Sequence, residues 1–232
     1  TIADAWISWG WSNAEKPQVK PVGILKELGR NVRHDPDGGG LMVEATMPRY
    51  SYHMFAAPVA SQWLSYFEDQ CRFIAALPPA LQNKVLVRFK TADYGWSQKA
   101  RWWDRFPNIT TDSGHQPLRT LVGKSRLCIS TYNATTYLEF FSWNIPTIIF
   151  WDPEYWELRE EVKPYFEQLK SVGIFHETPE SAAKQMTAIW GDVAGWWESD
   201  EVQSTRSKFC TRFSHIPEKA VDELESIFNG IT

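Results

Sequence analysis

Short apolar runs alternate with stretches of helical periodicity along most of this chain. Runs rich in β-branched and apolar residues predict strands at residues 41–46, 84–90, 108–111, 126–130, 146–151 and 173–176. Apolar positions at helical spacing predict helices at residues 58–77, 97–105, 117–123, 135–143 and 160–171. A helical C-terminal third follows, with Pro179 in the first turn after the cap residue Thr178. This alternation predicts an α/β fold, a parallel sheet with helices on both faces.

The first 40 residues lack that regular pattern and include the turn-forming run DPDGGG at residues 35–40. We expect residues 1–40 to be a linker or the remnant of a preceding domain, and residues 41–232 to form the α/β domain. An apolar content of 43% over 232 residues is enough for a large core.

Charge and cysteine content exclude several classes of function. A formal net charge of -4 argues against a nucleic-acid partner bound through a broad basic face. The three cysteines are far apart, which favours neither a disulfide framework nor a zinc site, and no other residues have metal-ligand spacing. We therefore expect no bound metal. We also expect no other cofactor.

The chain contains 13 tryptophans, several of them in pairs such as Trp102 with Trp103. Indole faces on an open surface stack on the apolar faces of sugar rings. The alternative is that these rings fill the core or a seam between domains.

Polar residues collect in the loops that follow the predicted strands. In a parallel α/β sheet, ligands bind at the carboxyl ends of the strands. The loops to consider are residues 47–53, 91–96, 130–136, 152–158 and 176–178.

The run STYNATTYLE at residues 130–139 leaves a strand and opens a helix. Free backbone N–H groups and the helix dipole favour an anion at such a point, so the run predicts a phosphate site. Its candidate contacts are Ser130, Thr131, Asn133, Thr135 and Thr136. Glu139, one turn further along the same face, is a candidate for the hydroxyl groups of a ribose. The alternatives are that Asn133, Thr135 or Thr136 simply caps the helix and that Glu139 faces water.

Two arginines are candidates for a phosphate contact. Arg49 in the first loop can grip a phosphate with two hydrogen bonds, unless it is an ordinary surface residue. Arg88 lies inside an apolar strand, where a charge needs either a ligand or a structural ion pair. Further candidates for the lining of the site are Asp93, Tyr94, Trp96, Asp152 and His176, each of which also has a structural alternative.

Long blocks of the sequence resemble one family. They include PRYSYHMFAAPVASQWLSYFEDQCRFIAALP, VRFKTADYGW and STYNATTYLEFFSWNIPTIIFWDPEYWELREEVKPYFEQL, followed by GIFHETPESAA and DVAGWW. Over roughly residues 40–215 the chain resembles bacterial transferases associated with lipopolysaccharide and O-antigen gene clusters. That family is similar to GT-B glycosyltransferases, and among these to the enzymes that transfer Kdo, an acidic eight-carbon sugar, from its CMP-activated form.

The resemblance implies a Rossmann-like donor domain that binds a nucleotide sugar, with the residues of the run at 130–139 at its phosphate and ribose. The donor sugar stays open between Kdo and sugars carried by UDP, GDP or dTDP. A complete GT-B enzyme has a second Rossmann-like domain, so the resemblance implies that an N-terminal domain and an acceptor-side catalytic group lie outside this chain.

The resemblance also implies a carbohydrate or lipid-linked acceptor and a place in the cytoplasm, where contact with the inner face of the bacterial inner membrane is an open alternative. Two other functions remain open at this point. One is a carbohydrate-binding module without catalytic activity, which would bind sugars through its tryptophans. The other is a nucleotide-sugar epimerase of GT-B type, which shares the donor site.

Overall fold

The computed structural model describes residues 3–50 and 60–230 of the chain. Within them it has a two-stranded sheet and a six-stranded sheet, and every pairing in both sheets is parallel. The strands are β1 (Trp6–Ser8), β2 (Val19–Pro21), β3 (Gly39–Val43), β4 (Val85–Arg88), β5 (Thr110–Asp112), β6 (Ser125–Ser130), β7 (Thr147–Phe150) and β8 (Phe175–His176).

The helices occur between these strands and after them, as the sequence predicts. They are α1 (Trp63–Ala76), α2 (Pro79–Gln82), α3 (Gln98–Arg105), α4 (Leu118–Val122), α5 (Thr135–Ser142), α6 (Lys163–Ser171), α7 (Pro179–Ile189), α8 (Val193–Trp197), α9 (Asp200–Phe213) and α10 (Ala220–Asn229). The α/β fold and the helical C-terminal third are thereby confirmed. The Thr178 cap is confirmed as well, because its side chain accepts a hydrogen bond from the backbone N–H of Ser181. The first residues of the predicted helix 58–77 lie outside the described ranges.

The larger sheet has the strand order β5-β4-β3-β6-β7-β8. Counted from β3, this is the order 3-2-1-4-5-6 of the dinucleotide-binding Rossmann fold. Helix α1 packs against α7, while α5 and α6 pack against α9. Because crossovers between parallel strands are right-handed as a rule, the two groups lie on opposite faces of the sheet. The order reverses between β3 and β6, so the chain leaves these two neighbouring strands toward opposite faces. This is the topological switch point of the sheet.

The core follows from the parallel sheet, since strands covered on both faces must be apolar on both faces. All four residues of β7 are buried, and Leu41 and Met42 of β3 are fully buried. Most of the tryptophans also lie in the core, and Trp63, Trp102 and Trp197 are among the largest fully buried side chains. Trp6 and Trp103 are exposed. The interpretation of the tryptophans as core residues therefore holds for most of them.

The segment before the large sheet is tied to the segment that follows α9. The backbone N–H of His215 donates to the carbonyl of Trp9 at 2.9 Å, and that of Ile24 donates to the carbonyl of His215 at 2.7 Å. Gly10 adopts a φ of +130°, and a Cβ atom there would lie 2.6 Å from the carbonyl oxygen of Thr211. The first 40 residues thus contain two short strands and pack on this domain, while their assignment as a linker or remnant stays a prediction.

Candidate functional site at the switch point of the sheet

A cleft of about 210 Å³ opens at the carboxyl ends of the strands that flank the switch point. We call it the switch-point cleft. Polar and charged side chains line much of it: Glu44, Arg88, Lys90, Thr91, Tyr132 and Thr136. A larger cavity of about 690 Å³ lies between β2 and α10, away from these strand ends. Because ligands of open α/β sheets bind at the switch point, the smaller cleft is the candidate site.

Glu44 follows the last residue of β3 and is buried. Its Oε1 accepts a hydrogen bond of 2.8 Å from the indole N–H of Trp102, while Oε2 has no hydrogen-bond partner among the described residues. Burial raises the pKa of Glu44 to about 8, and the bond from Trp102 offsets only part of that rise. Glu44 is therefore mostly a neutral carboxylic acid at pH 7.

The buried hydroxyls of Tyr66 and Thr131 join α1 to the loops after β3 and β6. The backbone N–H of Ala45 donates to the Tyr66 hydroxyl at 2.7 Å, and that hydroxyl lies 2.7 Å from Oγ1 of Thr131. Thr131 Oγ1 lies 3.1 Å from the carbonyl of Val43, which accepts its single proton. Tyr66 must therefore donate to Thr131. Burial is the largest cause that raises the pKa of Tyr66 well above its usual value, so Tyr66 keeps its proton.

Arg88 ends β4 and lines the switch-point cleft, with 15% of its side chain exposed. Its guanidinium donates to the carbonyl of Gln116 at 3.2 Å and lies 3.9 Å from Oδ2 of Asp112. The distance to Asp112 is too long for a hydrogen bond. Arg88 thus has one firm bond to a neutral carbonyl, and this leaves guanidinium donors for a ligand.

The loop between β6 and α5 brings part of its predicted phosphate contacts to the cleft. Thr136 lines the cleft, and its hydroxyl lies 2.5 Å from that of Tyr132. The residue at the N-cap of α5 is Ala134, and no side chain caps the helix. The capping alternative for this loop is therefore wrong, because alanine has no side-chain acceptor. Backbone N–H groups in the first turn of α5 remain without a side-chain cap, beside the cleft.

The other predicted contacts of this loop lie away from the cleft lining. Ser130 and Thr131 are buried, and the hydroxyl of Ser130 lies 3.4 Å from the carbonyl of Tyr132. Asn133 accepts a hydrogen bond of 3.0 Å from the Tyr137 hydroxyl, and Thr135 is exposed. Their assignment as phosphate contacts stays a prediction. A phosphate could contact these residues only through their backbone groups or, at Thr135, through the exposed side chain.

Glu139, Asp152 and His176 each have a structural contact. Glu139 forms an ion pair with Lys26, and Asp152 accepts from the backbone N–H of Glu154 at 2.9 Å. His176 Nε2 lies 3.1 Å from the carbonyl of Gly173, which can only accept, so His176 Nδ1 accepts from the Ser181 hydroxyl at 2.6 Å. Burial lowers the pKa of His176 and favours this neutral form. Their roles at a donor site stay predictions.

The predicted loop around residue 95 is held by its own side chains. Asp93 accepts hydrogen bonds of 2.7 Å from the backbone N–H groups of Ser97 and Gln98 at the start of α3. Trp96 is buried, and its indole N–H donates to the carbonyl of Met47 at 2.8 Å. Tyr94 is exposed. These contacts explain the local structure. A role of Asp93, Tyr94 and Trp96 in donor binding stays a prediction.

Arg49 lies at the edge of the described residues. It is exposed, its guanidinium donates to the carbonyl of Gly95 at 3.3 Å, and it lies 5.5 Å from the ring centre of Trp96. The predicted loop that contains it extends to residue 53, and residues 51–53 lie outside the described ranges.

Sequence reasoning missed Glu44 and Tyr66. Glu44 lies in the run LMVEATM, where a single carboxylate interrupts an apolar strand. The rule that singles out Arg88, that a charge in an apolar strand needs a partner or a ligand, also applies to Glu44. Tyr66 gives no such signal, because a tyrosine on the apolar face of a helix reads as an ordinary core residue.

The described residues hold no group of three or more His, Cys, Asp and Glu side chains that could bind a metal ion. Nor does any helix among them have the length and apolar character to span a membrane.

The sheet order and the cleft at its reversal define a Rossmann-like α/β protein. The family described as LIC12162 family transferase matches residues 1–228. This chain belongs to that family, and thus to a family of transferases.

Among solved structures, the wall teichoic acid polymerase TagF is similar to this chain with a TM-score of 0.45 and 14% sequence identity. The match covers 98% of this chain and 57% of that chain, so this chain spans little more than half of that polymerase. No curated protein matches the sequence.

Proposed function

We propose that this chain transfers a sugar from a nucleotide-activated donor to a carbohydrate or lipid-linked acceptor, and that the switch-point cleft holds the phosphate of the donor. The observation that carries the proposal is the meeting of Arg88 with the uncapped first turn of α5 at that cleft. Membership in a transferase family supports the reaction class.

The positive charge of the cleft suits a phosphate. Arg88 and Lys90 line the side formed by the end of β4, and Thr136 brings the first turn of α5 to the other side. Helix N-termini and guanidinium groups both favour anions, and a guanidinium can give a phosphate two hydrogen bonds.

Sugar transfer breaks the bond between the sugar and a phosphate oxygen, so negative charge grows on the departing nucleotide. Groups that are fixed before the reaction stabilise this developing charge at little cost of reorganisation. In the proposed mechanism, Arg88 and the N-terminus of α5 stabilise this negative charge. Positive charge from these groups also makes transfer independent of a metal, and we expect activity to persist in the presence of a chelator.

The finer identity of the substrates belongs to the same proposal. Kdo carried by CMP is one candidate donor, and sugars carried by UDP, GDP or dTDP are the others. A lipopolysaccharide or O-antigen acceptor would bring the enzyme to the inner face of the inner membrane, and an additional domain would complete the acceptor side.

Calorimetric titration with CMP, UDP, GDP and dTDP tests the donor site, with Arg88→Ala and the control Arg105→Ala. Arg105 is an exposed arginine that pairs with the exposed Glu68, outside the cleft lining. We expect one nucleotide to bind, with affinity at least about tenfold weaker in Arg88→Ala, as for the loss of a charged hydrogen bond. Arg105→Ala should bind like the wild type.

The outcome of that titration also separates the other candidate functions. Binding of free sugars without any nucleotide would contradict the proposal and favour a carbohydrate-binding module. Nucleotide binding followed by conversion of the donor sugar to its epimer, without transfer to an acceptor, would favour an epimerase.

A further inference from the structure

Glu44 is a buried acid in which one carboxyl oxygen has no hydrogen-bond partner among the described residues. Its Oε1 accepts from the indole N–H of Trp102, and Oε2 has no partner among the described residues. In a neutral carboxyl group whose carbonyl oxygen is Oε1, the other oxygen carries the proton. The proton then has nothing to donate to, which is costly for a buried polar group. A ligand in the adjacent cleft, which Glu44 lines, would supply the missing acceptor.

The charged and titratable groups nearest to this acid leave it without a fixed counter-charge. They are Tyr66 and Cys71 of α1, Arg88 and Lys90 at the end of β4, and Tyr132 after β6, with Asp112 of β5 beside Arg88. Arg88 is the less exposed of the two cations, and its guanidinium donates to the carbonyl of Gln116. Burial therefore dominates, and it favours the neutral acid at neutral pH.

We propose that Glu44, in its protonated form, donates a hydrogen bond to a phosphate oxygen of the nucleotide-activated donor. This inference rests on the proposed function, because it assumes that a phosphate occupies the cleft.

A phosphate is the ligand class that fits an unpaired buried donor in a cleft that Arg88 and Lys90 also line. Its oxygens accept hydrogen bonds and, once ionised, have no proton to give. An ionised Glu44 would repel a phosphate, whereas the neutral acid attracts it, so binding of the phosphate and protonation of Glu44 reinforce each other. The affinity of the site for a nucleotide should therefore fall as Glu44 loses its proton.

The test is a calorimetric titration with the nucleotide that binds best among CMP, UDP, GDP and dTDP, at several values between pH 7 and pH 9. Wild-type affinity should fall by about tenfold over this range, as one proton is lost from a group that titrates near pH 8. Glu44→Gln preserves the shape of the side chain, and its amide accepts from Trp102 and donates to the ligand at every pH. That variant should bind well at pH 7 and lose little affinity at pH 9.

Two further variants separate the hydrogen bond from general effects of substitution. Glu44→Leu removes the donor, and it should bind at least about tenfold more weakly than Glu44→Gln at pH 7. Glu68→Gln changes an exposed glutamate paired with Arg105, and its binding should follow the wild-type pH profile. Circular dichroism establishes that each variant is folded before it is titrated.

A measurement without nucleotide follows the proton itself. The wild type should show the infrared band of a protonated carboxyl group above pH 7. Loss of this band in Glu44→Gln would assign it to Glu44. Absence of that band at pH 6 would overturn the inference.

The outcomes distinguish the inference from the function on which it rests. If the wild type binds a nucleotide, but Glu44→Gln shows the same fall in affinity with pH, Glu44 is not the donor and the proposed function stands. If the folded wild type binds none of the four nucleotides at any pH, both fail.

Discussion

The loops after β3 and β6 both line the switch-point cleft, but they differ in whether their buried polar side chains have hydrogen-bond partners. In the loop after β6, the hydroxyls of Thr131 and Tyr132 have partners within the protein. In the loop after β3, Glu44 is buried with one oxygen unpaired. The polar side chains of the loop after β6 therefore hold the structure together, while the loop after β3 contains the carboxyl group with an unpaired oxygen.

Replacement of the partner of Glu44 should have the largest effect on stability. Trp102 is fully buried, with its ring centre 5.5 Å from that of Phe67 and its N–H bonded to Glu44. Trp102→Ala should lower the free energy of unfolding by about 3–5 kcal/mol, measured by urea denaturation. Its neighbour Trp103 is 48% exposed, so Trp103→Ala should cost less than about 1 kcal/mol. Equal losses in the two variants would contradict the assigned core.

The stability of the protein should depend on pH through Glu44. Burial raises its pKa from 4.5 to about 8, so between these values the folded chain holds a proton that the unfolded chain has lost. The free energy of unfolding should therefore fall as pH rises through this window, by about 1.4 kcal/mol per unit. Urea denaturation between pH 6 and pH 8 measures this slope, and Glu44→Gln should remove it.

Asp69 also contributes to the dependence of stability on pH, with the same sign, because burial raises its pKa to about 6. Its contribution falls mainly below pH 6, so the range from pH 6 to pH 8 reports mainly on Glu44. A slope between pH 6 and pH 8 that is equal in the wild type and in Glu44→Gln would show that Glu44 ionises normally.

The bridge between the two loops should have a smaller effect. Tyr66→Phe removes the hydroxyl that accepts from Ala45 and donates to Thr131, and it leaves a buried backbone N–H unpaired. We expect a loss of about 1–3 kcal/mol in the free energy of unfolding. Tyr94→Phe is the matched control at an exposed tyrosine, and it should change stability by less than about 0.5 kcal/mol. A loss in Tyr66→Phe as small as that in Tyr94→Phe would show that the hydrogen bonds of the Tyr66 hydroxyl do not stabilise the fold.

The smallest effect is expected at Ser130. Its hydroxyl is fully buried and lies 3.4 Å from its acceptor, the carbonyl of Tyr132, which indicates a weak bond. Ser130→Ala should cost less than about 1 kcal/mol of stability. It should also leave nucleotide affinity within about twofold of the wild type, if this loop binds phosphate through backbone N–H groups. A tenfold loss of affinity would instead assign the hydroxyl itself to the ligand.

Periodicity and punctuation in the sequence predict the sheet and most of its helices. The apolar run PTIIFW and the Thr178–Pro179 pair are local signals, and local structure follows them. The strand order needs tertiary packing, which brings β3 next to β6 although residues 44–124 separate them in the chain.

The candidate site was predictable in its position but only partly in its residues. The rule for strand ends locates the loop at residues 130–136, and the charge in β4 identifies Arg88. Which of its polar side chains already have a partner depends on residues distant in sequence, such as Tyr66 for Thr131 and Lys26 for Glu139. No pattern within the loop itself carries that information.

The most direct test of the donor site is backbone hydrogen exchange of the wild-type chain, with and without the nucleotide that binds best. We expect slower exchange at residues 44–47 and 131–136 when the nucleotide is bound, and no change around the larger cavity between β2 and α10. Protection confined to that cavity, with the two loops unchanged, would contradict the proposed donor site.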